Sequence, residues 1–129
     1  MAYNVLIVDD SPAMRSFVRR VLDMSGLEIG RCLQAENGLA AIDVLRADWV
    51  DVVLTDINMP VMDGDRFVRT IKADEELSPI PVIVVSTDKS ESRVQQMMDL
   101  GAKGYVTKPF MPETLRDAIE NALGVNRAW

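Results

Sequence analysis

The sequence predicts an α/β domain in which five parallel strands alternate with five helices, a (βα)5 chain folded as a three-layer sandwich with helices on both faces of the sheet. Three observations lead there. Short apolar runs recur, and they are apolar at every position, which suits strands buried on both faces. Segments with helical periodicity lie between them. The polar residues that end the runs, Asp9, Glu36, Asp56, Ser86 and Lys108, are spaced by 27, 20, 30 and 22 residues. Each interval has room for one helix and two short loops, as a parallel crossover requires.

In chain order, Val5–Val8 is the first strand and ends in Asp9-Asp10. Ser11 is a good N-cap and Pro12 suits the first helical position. Met14, Phe17, Val18, Val21 and Leu22 then form one apolar stripe, and the helix stops near Gly26. A weaker strand covers about 31–35, and Asn37 caps a second helix carrying Ile42 and Leu45. Val52–Leu54 ends in Thr55-Asp56, and the third helix runs from about Gly64 with Phe67, Val68 and Ile71 inward. Val82–Val85 ends in Ser86-Thr87. The fourth helix carries Val94, Met97 and Met98 and closes at Gly101, a natural C′ residue. Tyr105-Val106 is the fifth strand. The last helix starts near Pro112 with Leu115, Ala118, Ile119 and Ala122 on one face.

Composition excludes several chemistries. The chain has no histidine, so a Ser/His/Asp triad, a Cys/His dyad and His-ligated zinc or haem are all ruled out. Its single thiol, Cys32, cannot form an internal disulfide and reads as a small buried apolar residue. The net charge of −6 argues against general affinity for nucleic acid or anionic membrane. The apolar runs are far short of the roughly 20 residues of a membrane span, and Asp9 and Asp10 interrupt the only N-terminal run that could resemble a secretory signal. The expectation is a cytoplasmic protein with one ordinary core.

Asp9, Asp10, Asp56, Ser86 and Lys108 all fall where a strand gives way to its loop. In a parallel sheet those ends share one edge, where ligands bind at the reversal of strand order. Asp9, Asp10 and Asp56 bring −3 and Lys108 brings +1, a net −2 that a divalent cation would relieve. Carboxylates, a backbone carbonyl and waters are the environment Mg²⁺ prefers, and such a cation can bridge to a phosphoryl oxygen. A carboxylate can itself be the nucleophile and form an aspartyl phosphate.

Three stretches carry a family resemblance: Leu6-Ile7-Val8-Asp9-Asp10-Ser11, Thr55-Asp56-Ile57-Asn58-Met59-Pro60-Val61-Met62-Asp63-Gly64, and Gly104-Tyr105-Val106-Thr107-Lys108-Pro109-Phe110. In this order and spacing they resemble the receiver domain of two-component response regulators, most closely its stand-alone chemotaxis members. The match runs from about Val5 to Leu123. The resemblance implies the flavodoxin-like strand order 2-1-3-4-5. It implies that Asp56 accepts a phosphoryl group from a sensor histidine kinase or phosphotransfer protein. Asp9, Asp10 and Asp56 would hold Mg²⁺ together with the Asn58 backbone carbonyl. Ser86 and Lys108 would meet phosphoryl oxygens, and Ser86 with Tyr105 would form the switch. Lys108-Pro109 resembles the family's cis peptide.

The sequence also departs from the family pattern. Thr87 stands where a small residue is usual and could crowd the phosphoryl pocket. Ile57 stands where some chemotaxis members have Trp, so neither Trp49 nor Trp129 is placed to report phosphorylation. Asn58 and Asp88 occupy positions that tune dephosphorylation in the family. Pro60 and Gly64 also read as plain turn residues, the methionines as filler, and Met97 and Met98 as a minor addition to a partner surface.

These readings expect a receiver domain over residues 1–124 and a short tail over 125–129, holding Trp129. The expected function is a phosphorylation-controlled signalling module. It would be no enzyme beyond catalysing its own phosphorylation and dephosphorylation. It would act on a downstream protein through the fourth helix, fifth strand and fifth helix, as a monomer or transient dimer. The alternatives are a receiver of a non-chemotaxis phosphorelay, or one belonging to a larger regulator. A Mg²⁺-dependent phosphohydrolase fits poorly, because its paired acids should stand on the first strand with one residue between them, whereas Asp9 and Asp10 are adjacent and Asp56 is on the third strand. A flavin site fits poorly because Asp9-Asp10 would repel a phosphate.

Overall fold

A computed structural model describes residues 2–125. The elements alternate without exception: β1 (Tyr3–Val8), α1 (Pro12–Met24), β2 (Ile29–Ala35), α2 (Gly38–Ala47), β3 (Val52–Thr55), α3 (Gly64–Ala73), β4 (Val82–Ser86), α4 (Glu91–Leu100), β5 (Gly104–Thr107) and α5 (Pro112–Leu123). The strands form one parallel sheet in the order β2-β1-β3-β4-β5. The expected flavodoxin-like (βα)5 architecture is therefore the one observed.

Side-chain alternation divides the core into two layers. Leu6, Val8, Val53, Val82 and Val84 face α2, α3 and α4, where they meet Ile42, Leu45, Phe67, Val68, Ile71 and Met97. Val5, Ile7, Val52, Leu54, Ile83 and Val85 face the other way, onto Val18, Val21 and Leu22 of α1 and Leu115 and Ile119 of α5. Hence β1, β3 and β4 carry unbroken apolar runs, because both of their faces are covered. The edge strands β2 and β5 have mixed burial.

Local chemistry sets the helix ends. Ser11 Oγ accepts from the Met14 N–H and Asn37 Oδ1 from the Ala40 N–H, as the sequence predicts. Asp63 and Ser90 cap α3 and α4 in the same way, accepting from the Arg66 and Arg93 N–H groups. Gly101 ends α4 in the left-handed conformation, with φ +116°.

Several expectations shift. The strand β2 begins at Ile29, two residues before the predicted start, because its pairing with β1 already starts at Tyr3. The helix α1 ends at Met24, capped by the Ser25 N–H and Oγ on the Leu22 carbonyl, before Gly26 is reached. Cys32 is half-buried rather than buried, since β2 is an edge strand. Met97 is fully buried and unavailable to a partner, whereas Met98 is exposed. Residues 126–129, including Trp129 and most of the expected tail, lie outside the described residues. Among the described residues no helix is long and apolar enough to cross a membrane.

Candidate functional site: an acidic cleft at the carboxyl edge of the sheet

Neighbouring β1 and β3 pair in register from Val5↔Val52 to Val8↔Thr55, so their carboxyl ends lie side by side. The chain leaves β1 for β2 on one side, and β3 leads to β4 on the other. This is the reversal point of the sheet, where a crevice opens. Asp9 and Asp10 follow β1, and Asp56 follows β3. The Asp56 N–H continues the ladder onto the Val8 carbonyl at 2.9 Å. One carboxylate oxygen from each of Asp9, Asp10 and Asp56 lies within 4.8 Å of the others.

The three acids are held differently. Asp9 is buried at 4% exposure. Its Oδ1 accepts from the Ser11 N–H at 2.9 Å and its Oδ2 faces Lys108 Nζ at 3.2 Å. Asp56 is half-buried. Its Oδ1 accepts from the Ile57 N–H at 2.7 Å and its Oδ2 from Lys108 Nζ at 3.3 Å. Asp10 is exposed and its carboxylate has no hydrogen bond or ion pair among the described residues. Lys108, delivered by β5, thus stands between two of the acids with its side chain 9% exposed. It follows that the +1 from β5 offsets only part of the −3.

Burial raises the Asp56 carboxyl above its ordinary value, and the negative charge of Asp9 adds to the rise. The Ile57 N–H and Lys108 oppose it without cancelling it. A carboxylate raised in this way is more basic, and hence a better nucleophile, than a solvated one. The hard oxygen donors and the uncompensated charge fit an octahedral divalent cation such as Mg²⁺.

The next two strands supply the other predicted residues. Ser86, 2% exposed, closes β4 and its Oγ accepts from the Asp88 N–H at 3.1 Å. The Ser86 carbonyl accepts from the Lys108 N–H at 2.8 Å, so the two residues are fixed to each other. Thr87 and Asn58 are exposed on their loops. Tyr105 is half-buried against the α2–α4 core layer and donates its hydroxyl to the Asp88 carbonyl. Asp88 therefore connects Ser86 to Tyr105 through its own backbone, a link that the sequence did not suggest. The Lys108-Pro109 bond is cis. Phe110 beyond it packs edge-on against Phe17 of α1, with ring centroids 5.7 Å apart.

The loop from Asp56 to Gly64 is tightly drawn. The Gly64 N–H donates to the Ile57 carbonyl at 2.7 Å, and Val61 adopts φ +68°. Ile57, where some relatives of the predicted family have Trp, is buried at 1% exposure. A separate hollow of about 580 Å³, lined by Leu45, Trp49, Ile80 and Pro81 among others, lies at the opposite edge of the sheet and holds none of the clustered acids.

Arg15 was not foreseen. Its Nη1 donates to the Asp9 backbone carbonyl at 2.6 Å and its Nε to Gln34 Oε1 at 2.9 Å. The only signal in the sequence is its position one helical turn after the Ser11 cap.

The chain is similar to known proteins in sequence and in fold. A family model described as the response regulator receiver domain matches residues 5–120. The chain is 36% identical over 124 residues to the chemotaxis protein CheY1 of Helicobacter pylori, covering 95% of this chain and 98% of that one. Its fold is similar to that of the chemotaxis response regulator CheY4 of Vibrio cholerae, with a TM-score of 0.82, 32% identity, and 95% and 100% of the two chains covered. It is equally similar, with a TM-score of 0.82 and 29% identity, to the signal receiver domain of a histidine kinase from Syntrophus aciditrophicus, with 99% and 96% covered.

Proposed function

The chain belongs to the response regulator receiver family, and from that premise we propose that it is a phosphorylation-controlled switch whose acceptor is Asp56. The observation that carries this reading is the convergence of Asp9, Asp10 and Asp56 within 4.8 Å, with Lys108 between two of them. Three acids and one cation at the carboxyl edge of a parallel sheet suit phosphoryl transfer, which depends on positioning and charge neutralisation. The phosphoryl donor is the phosphohistidine of a kinase or phosphotransfer protein. An Asp56 oxygen bonds to phosphorus as the P–N bond breaks, and the departing imidazole keeps the electron pair of that bond. Both Asp56 oxygens are already oriented, one by the Ile57 N–H and the other by Lys108.

Asp9, Asp10, Asp56 and the Asn58 backbone carbonyl are the groups that would hold Mg²⁺, which supplies the positive charge that lets an anionic donor approach the acids. Lys108 and Ser86 then receive the phosphoryl oxygens. The Ser86 Oγ already accepts from the Asp88 N–H, and its own hydrogen remains available to donate. Movement of Ser86 toward the phosphoryl group would draw on Asp88, and through the Asp88 carbonyl on the Tyr105 hydroxyl. The surface of α4, β5 and α5 would then favour a different protein partner, by population shift rather than by creation of a new state.

The relatives' names favour chemotaxis-type signalling as the form of this function, and in that form a receiver over residues 1–124 would act in the cytoplasm as monomer or transient dimer. The similarity to a receiver domain of a histidine kinase keeps a second reading, a phosphorelay receiver. Acetyl phosphate with Mg²⁺, read by intact mass, tests the acceptor. Wild type gains one phosphoryl group and Asp56→Asn gains none; equal labelling of the two would rule out Asp56. Phosphotransfer from a panel of the organism's kinases then separates chemotaxis from phosphorelay.

A further inference from the structure

We propose that Arg15, buttressed by Gln34, is a positioning residue that aims Asp10 at the cation. The inference rests on the Mg²⁺ site proposed above and deepens it. Asp9 and Asp56 have their carboxylates fixed by hydrogen bonds and by Lys108. Asp10 has no such restraint: its carboxylate is exposed and meets no partner among the described residues. What remains to direct it is the backbone on which it stands.

That backbone is held from both sides of the Asp9 residue. The Asp9 N–H donates to the Ala35 carbonyl at 3.1 Å, which continues the β1–β2 ladder. The Asp9 carbonyl, part of the peptide plane shared with Asp10, accepts from Arg15 Nη1 at 2.6 Å. Rotation of that plane would swing the Asp10 Cα–Cβ bond, so a bond to its oxygen restrains the carboxylate. Arg15 is in turn restrained twice. Its own N–H donates to the Ser11 carbonyl at 3.0 Å within the first turn of α1, and its Nε donates to Gln34 Oε1 at 2.9 Å on β2. The planar guanidinium can serve both acceptors, the Asp9 backbone carbonyl and Gln34 Oε1, because its donors diverge in a fixed fork. Removal of outer partners of this kind costs metal affinity even when every ligand remains.

The charge on Arg15 opposes its geometry, which makes the proposal testable by sign. As a bare cation near the site, Arg15 would weaken Mg²⁺ binding by repulsion, and its removal would tighten it. As a positioning residue, its removal loosens Asp10 and weakens binding. The experiment is calorimetric titration of the intact, unphosphorylated chain with Mg²⁺, alongside thermal melts in EDTA. Arg15→Ala should weaken Mg²⁺ binding about tenfold. Arg15→Lys, which keeps the charge and loses the fork, should weaken it at least as much. Gln34→Ala should weaken it less and in the same direction, and stands in if the Arg15 variants do not fold. EDTA melts close to wild type would exclude a general loss of structure. Tighter or unchanged binding by Arg15→Ala, or wild-type binding by Arg15→Lys, overturns the proposal. Asp10→Asn separates the two levels: if it leaves Mg²⁺ affinity unchanged, the acidic site itself is misassigned and this inference falls with it.

Discussion

Gly64 lies against the backbone of the proposed phosphoacceptor: a Cβ on Gly64 would stand 2.6 Å from the Asp56 carbonyl oxygen and 2.7 Å from the Ile57 Cα. Both neighbours are main chain and cannot swing aside, so the Asp56 loop and the start of α3 approach only because residue 64 has no side chain. Gly64→Ala should therefore destabilise the fold by about 1–3 kcal/mol, the range for overpacking. It should also slow labelling of Asp56 by acetyl phosphate, because the loop must move to admit the methyl group. Urea unfolding and intact mass read the two effects. An alanine variant with wild-type stability and labelling would mean that the loop yields freely.

Four residues beyond the buried Ile57, strain is carried by an exposed residue. Val61 has φ +68°, with the Met62 N–H closing back on the Pro60 carbonyl at 2.7 Å. A β-branched residue in this region costs roughly 1–2 kcal/mol, and the side chain recovers little, being 70% exposed. Val61→Asn, which tolerates left-handed backbone, should stabilise the protein by about 1 kcal/mol. Val61→Gly should gain less, because glycine also frees the unfolded chain. A lowered urea midpoint for Val61→Asn would show that the valine side chain contributes packing that outweighs the strain.

The parts of the fold that were legible in the sequence are those where one physical demand dominates. Val5–Val8, Val52–Leu54 and Val82–Val85 had to be apolar throughout because both faces are covered, so their runs read directly as central strands. At the edges the demand weakens: Cys32 on β2 is half-buried, and the start of β2 was missed because solvent-facing positions carry no pattern. The acidic cleft was legible for a topological reason, since parallel strands put every strand-to-loop junction on one edge. Arg15 was not, because its role depends on how the Asp9-Asp10 turn presents a backbone carbonyl. The Ser86–Asp88–Tyr105 link was hidden likewise, since both of its hydrogen bonds are made by the main chain of Asp88.

A second connection invisible to periodicity joins the first turns of α3 and α4. Arg93 Nη1 donates to Asp65 Oδ2 at 3.1 Å, its Nη2 lies 3.0 Å from Oδ1, and Gln96 Nε2 donates to Oδ2 at 3.2 Å. The side chains are 24% and 15% exposed, so solvent screens the pair only in part. A double-mutant cycle with Asp65→Ala and Arg93→Ala should give a coupling of about 1 kcal/mol, more than the few tenths common for exposed pairs. The coupling should shrink in 1 M salt. Strict additivity would mean that the pair contributes no net stability.

Asp56 makes metal-free stability depend on pH in a direction opposite to that of an ordinary ion-paired carboxylate. Its carboxyl is raised above the ordinary value of 3.8 chiefly by burial, with Asp9 adding to the rise. The folded state therefore binds the Asp56 proton more tightly than the unfolded state does. The contribution to stability is fully present below 3.8 and is lost as pH climbs through the folded value. At neutral pH the native protein holds Asp56 ionised at a cost. Asp56→Asn is neutral throughout, and its Oδ1 can still accept from the Ile57 N–H. It should unfold at higher urea than wild type at pH 7 without metal, and the gap should close as pH falls toward 4. Mg²⁺ should narrow the same gap from the other side at pH 7, because it binds the ionised acids of the native state alone and adds stability in proportion to RT ln(1 + [Mg²⁺]/Kd), about 2.7 kcal/mol at a hundredfold excess over Kd. Urea midpoints across pH 4–7, with and without Mg²⁺, check both limbs. A gap that does not vary with pH would place its origin in packing at residue 56 rather than in the carboxylate charge.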